Sequence, residues 1–407
     1  MITKNLQLYK FSLYGFLKNL RFFEPFMILY LLEKGLSFTQ IGILYGFREI
    51  VINVLEIPTG IFADIIGRKK TLVLSFSGYL LSFFIFFISK NYLVFFIAMV
   101  LFSFGEACRT GTHKAMIFEY LSINGMSDQK TGYYGYTRSW AQIGSALSAL
   151  VAGIIVFWQG SYSTIFLYSI IPYVLDMLLI LSYPREVDGK RSGGGSSVGT
   201  AFASVLKETA QTFSSFRTIR IVFNQAFHSG YYKAGKDFIQ PIFKTIALSI
   251  PLLAMYGEDK QSSVFIGIMY FILFLMTSFA SRNAQWFTRK VKSDAAALNA
   301  TLFAGAVAGI FAGLCYWKGY TIVAAVFYVL VFLSENLRKP AGIAYISDKL
   351  KPEAMATTLS TLSQASSVIT AGFAFFLGLA IDTLGLGPGI AAVFGVFGIL
   401  SIFFTVK

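Results

Sequence analysis

The chain has 407 residues, 56% of them hydrophobic and 13% charged, with a mean hydropathy of +0.65. No soluble globular domain is so apolar, and the composition specifies a polytopic membrane protein. The net charge of +14 does not point to nucleic acid, because the cations sit in short links between apolar runs, where they act as topology signals.

A hydrocarbon core takes about 20 apolar residues per helix. On that ruler the chain divides into twelve spans, at 9–33, 38–65, 70–89, 92–121, 132–158, 162–183, 217–247, 262–285, 294–316, 319–348, 354–383 and 387–405. Lys10, Lys18 and Arg21 interrupt the first run, so it lacks a cleavable signal pattern and is expected to remain as a span. Span 1 carries Lys18, Arg21 and Glu24, three residues apart and hence on one stripe of a continuous helix, ahead of Pro25. Span 2 carries Arg48, Glu49, Asn53 and Glu56, with Pro58 expected to kink it, and closes on Asp64 before Gly67-Arg68-Lys69-Lys70. Span 4 carries Glu106, Arg109 and His113, with Glu119 at its end; span 5 carries Arg138 and span 6 Asp176.

The widest break, 184–216, holds the flexible run Ser192-Gly193-Gly194-Gly195-Ser196-Ser197 and an amphipathic stretch, Phe202 to Phe216, expected on the membrane surface. It separates a predicted N-terminal six-helix bundle, 1–183, from a C-terminal one, 217–407. Span 7 then carries His228, Lys233, Lys236 and Asp237, and span 10 carries Glu335, Arg338 and Lys339. Cys108 and Cys315 lie in separate apolar spans and read as buried thiols, and the abundant Phe suits lipid-facing surfaces.

Charge sets the topology. One set of links holds Arg68, Lys69, Lys70, Lys130, Arg185, Lys190, Arg191, Lys207, Arg289, Lys290, Lys292, Lys349 and Lys351; the other holds little beyond Lys34, Lys90, Lys260 and Lys318. The positive-inside rule places both termini in the cytoplasm of a multi-pass protein of the inner (plasma) membrane.

The halves repeat. Arg21-Phe22-Phe23-Glu24-Pro25 in span 1 answers Asp237-Phe238-Ile239-Gln240-Pro241 in span 7. Glu106-x-x-Arg109 and Ala115-x-Ile117-x-Glu119-x-Leu121 answer Glu335-x-x-Arg338 and Ala344-x-Ile346-x-Asp348-x-Leu350, and Gln142-x-x-Ser145 answers Gln364-x-x-Ser367. Each pair lies six spans apart, as expected of an all-α membrane protein of twelve transmembrane helices in two pseudo-symmetric six-helix bundles.

The link after span 2 reads Gly60-x-x-x-Asp64-x-x-Gly67-Arg68-Lys69. It resembles the signature loop between the second and third helices of the major facilitator superfamily. The resemblance implies a secondary transporter in which Asp64 and Arg68 gate the cytoplasmic side, Glu119 pairs with the loop arginine, and spans 1, 4, 7 and 10 line the central cavity. The loop after span 8 keeps Arg289-Lys290 but not the Asp and Gly positions, span 5 lacks the Pro of drug–proton antiporters, and no sugar-porter signature follows span 6.

Charges in hydrocarbon-length segments must face water or one another. Lys18, Arg21, Glu24, Glu106, Arg109, His113, Lys236, Asp237, Glu335 and Arg338 are therefore the candidate substrate-binding residues. Cations exceed acids among the membrane charges, favouring an anionic or zwitterionic solute, since the arginine fork suits carboxylates and phosphates. The alternative for Glu106–Arg109 and Glu335–Arg338 is a structural (i, i+3) ion pair. Glu49, Glu56 and Asp176, acids without an evident fixed cation, are the proton-coupling candidates. His113 and His228 read as satisfied lone histidines, and no metal, cofactor or catalytic constellation is found.

The reading is a monomeric secondary transporter of a small polar solute working by alternating access, with a proton as coupling ion and the bilayer as its other partner. A drug–proton antiporter, or a lipid-handling flippase or sensor on the same scaffold, remains the alternative.

Overall fold

The computed structural model describes residues 3–188, 199, 203, 216–251, 255, 257–291, 293–349 and 352–406. Within them the chain forms helices and 3₁₀ turns, without strands. Among the described residues, nine helices are long and apolar enough to cross a membrane. The other expected spans are the helix Phe38–Ile66, which carries four charged residues, and two spans that are interrupted. Positions 204–215 and the run Ser192–Ser197 of the expected linker lie outside the described residues.

Contacts group residues Met1–Phe26 with Val51–Phe202 in one compact unit, and Met27–Ile50 with Ala203–Lys407 in another. The first unit contains α1 (Leu6–Lys18), most of α3 (Phe38–Ile66), α4 (Arg68–Ile88), α5 (Tyr92–Arg109), α6 (Thr112–Ile123), α7 (Lys130–Gln159) and α8 (Thr164–Leu181). The second contains α2 (Met27–Glu33), the start of α3, α9 (Phe216–Gly235), α10 (Ile239–Leu248), α11 (Glu258–Arg282), α12 (Ala284–Lys290), α13 (Asp294–Trp317), α14 (Thr321–Lys349), α15 (Pro352–Leu384) and α16 (Leu386–Ser401).

Span 1 is not one helix. It stops at Lys18, where Asn19 closes the last turn by donating its side-chain amide to the Gly15 carbonyl at 2.7 Å, and resumes as a 3₁₀ turn at Glu24–Phe26. The single stripe expected for Lys18, Arg21 and Glu24 is thus replaced by three backbone settings. The cause is Pro25, which has no N–H for the Arg21 carbonyl and disfavours α geometry at the residue before it. The Arg21 carbonyl accepts from the Glu24 N–H instead, at 3.0 Å. Span 7 breaks at the corresponding place, with a 3₁₀ turn at Lys236–Phe238 ahead of Pro241, which sits in the tolerant first turn of α10. Pro58, by contrast, leaves α3 helical through Ile66.

The phenylalanines do not collect on the outer faces as expected. Phe11, Phe26, Phe76 and Phe83 are fully buried, and in the first unit Phe83 meets Tyr173 edge-on with ring centres 4.9 Å apart. Aromatic pairs of this kind add about 0.5–1.5 kcal/mol to burial.

In the second unit the start of α3 packs against α15 through small residues. A Cβ at Gly42 would fall 2.2 Å from the Ala374 carbonyl, one at Gly46 3.1 Å from that of Ala371, and one at Gly378 2.2 Å from that of Phe38. Backbone approach this close is available only without side chains, as in small-residue crossings of membrane helices. At the end of this seam the Asp382 carboxylate accepts the N–H groups of Phe38 and Thr39 at 3.0 and 2.7 Å, satisfying two of the free donors at the α3 N-terminus. Gly42→Ala should therefore lower thermal stability in detergent by about 1–3 kcal/mol, whereas Gly60→Ala, whose Cβ would meet nothing within 4 Å, should leave it unchanged; equal melting temperatures for the two variants would refute the seam.

Candidate functional site

In the first unit, helix α5 ends at Arg109 because Gly111 takes φ +80, open to a residue without Cβ, and α6 starts at Thr112. Threonine hydroxyls satisfy carbonyls at the break: Thr110 donates to Glu106 at 2.8 Å and Thr112 to Cys108 at 2.7 Å. The interruptions at Asn19 and Gly111 set the stage for one charged cluster. Glu106 accepts from Arg21 on one carboxylate oxygen and from Arg109 on the other, the latter at 2.6 Å, so the expected (i, i+3) pair forms but is shared with a third residue. Arg109 Nε also donates to the Tyr79 hydroxyl at 3.3 Å.

Two guanidinium groups thus share one carboxylate, and the triad is cationic. Five N–H donors per arginine exceed what Glu106, Tyr79 and Tyr173 can accept, and among the described residues the buried Nε of Arg21 has no hydrogen-bond partner. The side chains of Arg21, Arg109 and Glu106 are 18, 22 and 13% exposed. Lys18 is buried at the end of α1, with the Tyr173 hydroxyl donating to its carbonyl at 3.2 Å. Glu24 acts electrostatically on Lys18 and Arg21.

His113 stacks on Tyr14, ring centres 3.5 Å apart, and its Nε2 meets the Tyr183 hydroxyl at 3.2 Å. Asp176 on α8 is fully buried, and neither carboxylate oxygen has a hydrogen-bond partner among the described residues. The cations whose charge reaches it are Lys18 and Arg109.

The loop after α3 is held from an unexpected side. Arg68 Nη1 lies 3.4 Å from Glu119 Oε2, while among the described residues Asp64 makes no ion pair. The acid at the α4 N-terminus is Asp188, which accepts the Lys69 N–H at 2.7 Å and lies against Gly67, itself at φ +99. Lys69 Nζ donates to the carbonyls of Leu181 and Tyr183 at 2.5 and 3.0 Å, capping the end of α8. Asp188 carried no motif of its own; it fell at the start of a segment read as linker.

The second unit departs most from expectation. Glu335 and Arg338 do not pair. Arg338, 2% exposed, donates to the Asn224 carbonyl at 2.6 Å, to the Asn224 side chain, to the Leu298 carbonyl and to Thr301 Oγ1 at 3.2 Å, so its fork is consumed by backbone and side-chain oxygens of neighbouring helices. Glu335 instead meets His228 at 2.8 Å and Ser229 at 3.1 Å. Helical spacing alone could not show this, because tertiary neighbours outbid an (i, i+3) partner for a buried guanidinium. Glu49 was expected to lack a cation, but Arg48 lies at 3.0 Å and Lys233 at 3.9 Å. Lys236 and Asp237 sit in the 3₁₀ turn of span 7, 3.8 Å apart. Glu56, half-buried in α3, stays outside the Arg21–Glu106–Arg109 cluster's hydrogen bonds.

The family model described as the Major Facilitator Superfamily matches residues 19–370. A curated relative, the uncharacterised MFS-type transporter YxaM of Bacillus subtilis (strain 168), is 21% identical over 228 residues; the match spans 56% of each chain, about half the length of that relative. Solved structures agree in fold. The nucleoside transporter NupG matches with TM-score 0.74 and 14% identity over 98% of both chains. A POT family transporter in complex with 5-aminolevulinic acid matches with TM-score 0.73 and 13% identity over 97% of this chain and 94% of that one. At such identities the likeness is one of fold.

The two Glu-x-x-Arg arginines should separate in their behaviour. Arg338→Lys should cost about 3–5 kcal/mol of stability, since a lysine leaves buried acceptors unmet, while Arg109→Lys should fold with a melting temperature near that of the parent; a stable Arg338→Lys protein would overturn the structural assignment of that side chain.

Proposed function

The chain belongs to the major facilitator superfamily, and we propose that it is a secondary transporter of a small anionic or zwitterionic solute that works by alternating access. The observation that carries this reading is the shared carboxylate of Arg21 and Arg109: two partly exposed guanidinium groups, one acid, and donors left over. A carboxylate or phosphate entering there would take bidentate N–H donation and complete the charge balance that Glu106 only half supplies. Lys18 adds a third cation, and Glu24 is the acid placed to receive the ammonium of a zwitterion.

Proton coupling fits the same cluster. Of the three acids expected to load protons, Asp176 has the strongest support, being buried with unbonded oxygens in reach of the Lys18 and Arg109 charges. Glu49 is held by two cations and is the weakest. Asp64, Arg68 and Glu119 are assigned to the cytoplasmic gate, with Asp188 fixing the loop between Asp64 and Arg68, and Asp382 is assigned to a clasp that releases the α3 N-terminus.

Purified protein should be stabilised thermally by small carboxylates, amino acids or organic phosphates, by about 2.7 kcal/mol at a hundredfold excess over Kd. Arg21→Gln and Arg109→Gln should each abolish that stabilisation while folding normally. Stabilisation by cationic drugs alone, or carboxylate stabilisation that survives both substitutions, would sink the assignment. In proteoliposomes Asp64→Asn should slow transport severalfold without reducing solute binding; unchanged flux would remove it from the gate.

A further inference from the structure

Hydrogen-bond accounting around His228 points to a chemical function that neither its sequence context nor the transporter fold assigns. His228 on α9 is fully buried. Its Nδ1 faces Glu335 Oε2 at 2.8 Å, and its Nε2 faces Ser334 Oγ at 3.0 Å, both partners belonging to α14. The other Glu335 oxygen accepts from the Ser229 hydroxyl at 3.1 Å. Ser334 has a single hydroxyl proton, and its oxygen also lies 2.8 Å from the Val331 carbonyl, which can only accept. Both Ser334 contacts are satisfied together only when Nε2 carries a proton and donates to Oγ. A further proton must then lie between Nδ1 and Glu335, because a bare ring nitrogen and a carboxylate oxygen repel at this distance. With the Ser334 hydroxyl turned to Val331, the arrangement holds one proton more than a neutral imidazole facing an ionised acid.

Losing that proton needs little rearrangement. Nδ1–H continues to donate to an ionised Glu335, Nε2 becomes an acceptor, and the Ser334 hydroxyl turns from Val331 to Nε2. The ring also hydrogen-bonds the Thr301 backbone, which favours the protonated form; otherwise the two states differ by one proton and one hydroxyl rotation. Space for the group is provided by α13: a Cβ at Gly305 would fall 2.2 Å from Tyr231 Oη and 2.9 Å from both His228 Nε2 and Ser334 Oγ. The charged and titratable groups acting on the dyad are Arg338 and Lys339 of α14 and Tyr231 of α9. Arg338 is fixed by its four oxygen acceptors, α13 contributes Thr301 and Gly305, and α15 and α16 bring the rings of Phe373 and Phe394 against Tyr231. The dyad is thus the place in this unit where a proton can come and go without leaving an orphaned charge.

We propose that His228 and Glu335, with Ser334 as the rotating partner, form a proton-binding site in the second unit. Its part in driving transport rests on the transporter reading above; its capacity to bind a proton does not.

The test needs no substrate. Full-length protein with ¹⁵N-labelled histidine is placed in nanodiscs, and the two ring spectra, His113 and His228, are separated with a His228→Gln variant. On titration across about pH 5 to 8, the His228 ring should pass from protonation on both nitrogens to protonation on Nδ1 alone. Glu335→Gln and Ser334→Ala should each weaken proton binding at least tenfold. Ser334→Ala removes one oxygen and keeps the test available if Glu335→Gln does not fold. A His228 ring that holds one neutral tautomer throughout, or a transition that ignores both substitutions, overturns the proposal. Either result leaves carboxylate binding at Arg21 standing, and a failure of carboxylate binding leaves the titration standing.

Discussion

An ionised side chain in a hydrocarbon-length segment has to find a partner inside the protein, and the arrangement of both units follows from how that requirement is met. Glu106 is held by two arginines from separate segments. That geometry depends on interrupted helices. Pro25 frees the backbone around Arg21, and Gly111 ends the helix that carries Glu106 and Arg109. The cost of a break in the membrane is an unsatisfied backbone group, which here is offset by local donors: the Glu24 N–H in span 1 and two threonine hydroxyls in span 4.

The repeat puts like residues at like positions and then uses them differently. Two residues after each Glu-x-x-Arg stands a residue of low helix propensity, but Gly111 ends its helix whereas Pro340 lies inside the continuous α14. In the first unit the glutamate binds its own arginine and borrows a second, leaving guanidinium donors to spare. In the second unit the arginine is consumed by oxygens of Asn224, Leu298 and Thr301, and the glutamate turns to a histidine. One motif therefore yields a glutamate shared by two arginines in one copy and a glutamate–histidine contact in the other. Like motifs thus meet unlike neighbours, and the neighbours contributed by other helices decide which contacts form.

Two further acids share a physical role that their sequence contexts conceal. Asp188 meets backbone donors at the start of α4, and Asp382 meets those at the start of α3. Each comes from a distant part of the chain, and each places negative charge where a helix N-terminus is partly positive.

Membrane class, helical architecture, repeat and family were legible in the sequence, because hydrocarbon thickness, cation placement and the Gly60–Lys69 spacing leave their mark on linear order. The pairing of Glu106 with Arg109 was legible too, since residues three apart on a helix are neighbours whatever surrounds them. What only the tertiary structure decided were the contacts that cross between elements. Arg21 reaches Glu106, Arg338 forsakes Glu335, His228 takes its place, and Asp188 and Asp382 hold helix ends far away in the chain. The reason is energetic: in a medium without water each buried polar atom takes the best partner within reach, and reach is set by packing, which pairwise spacing along one helix does not encode.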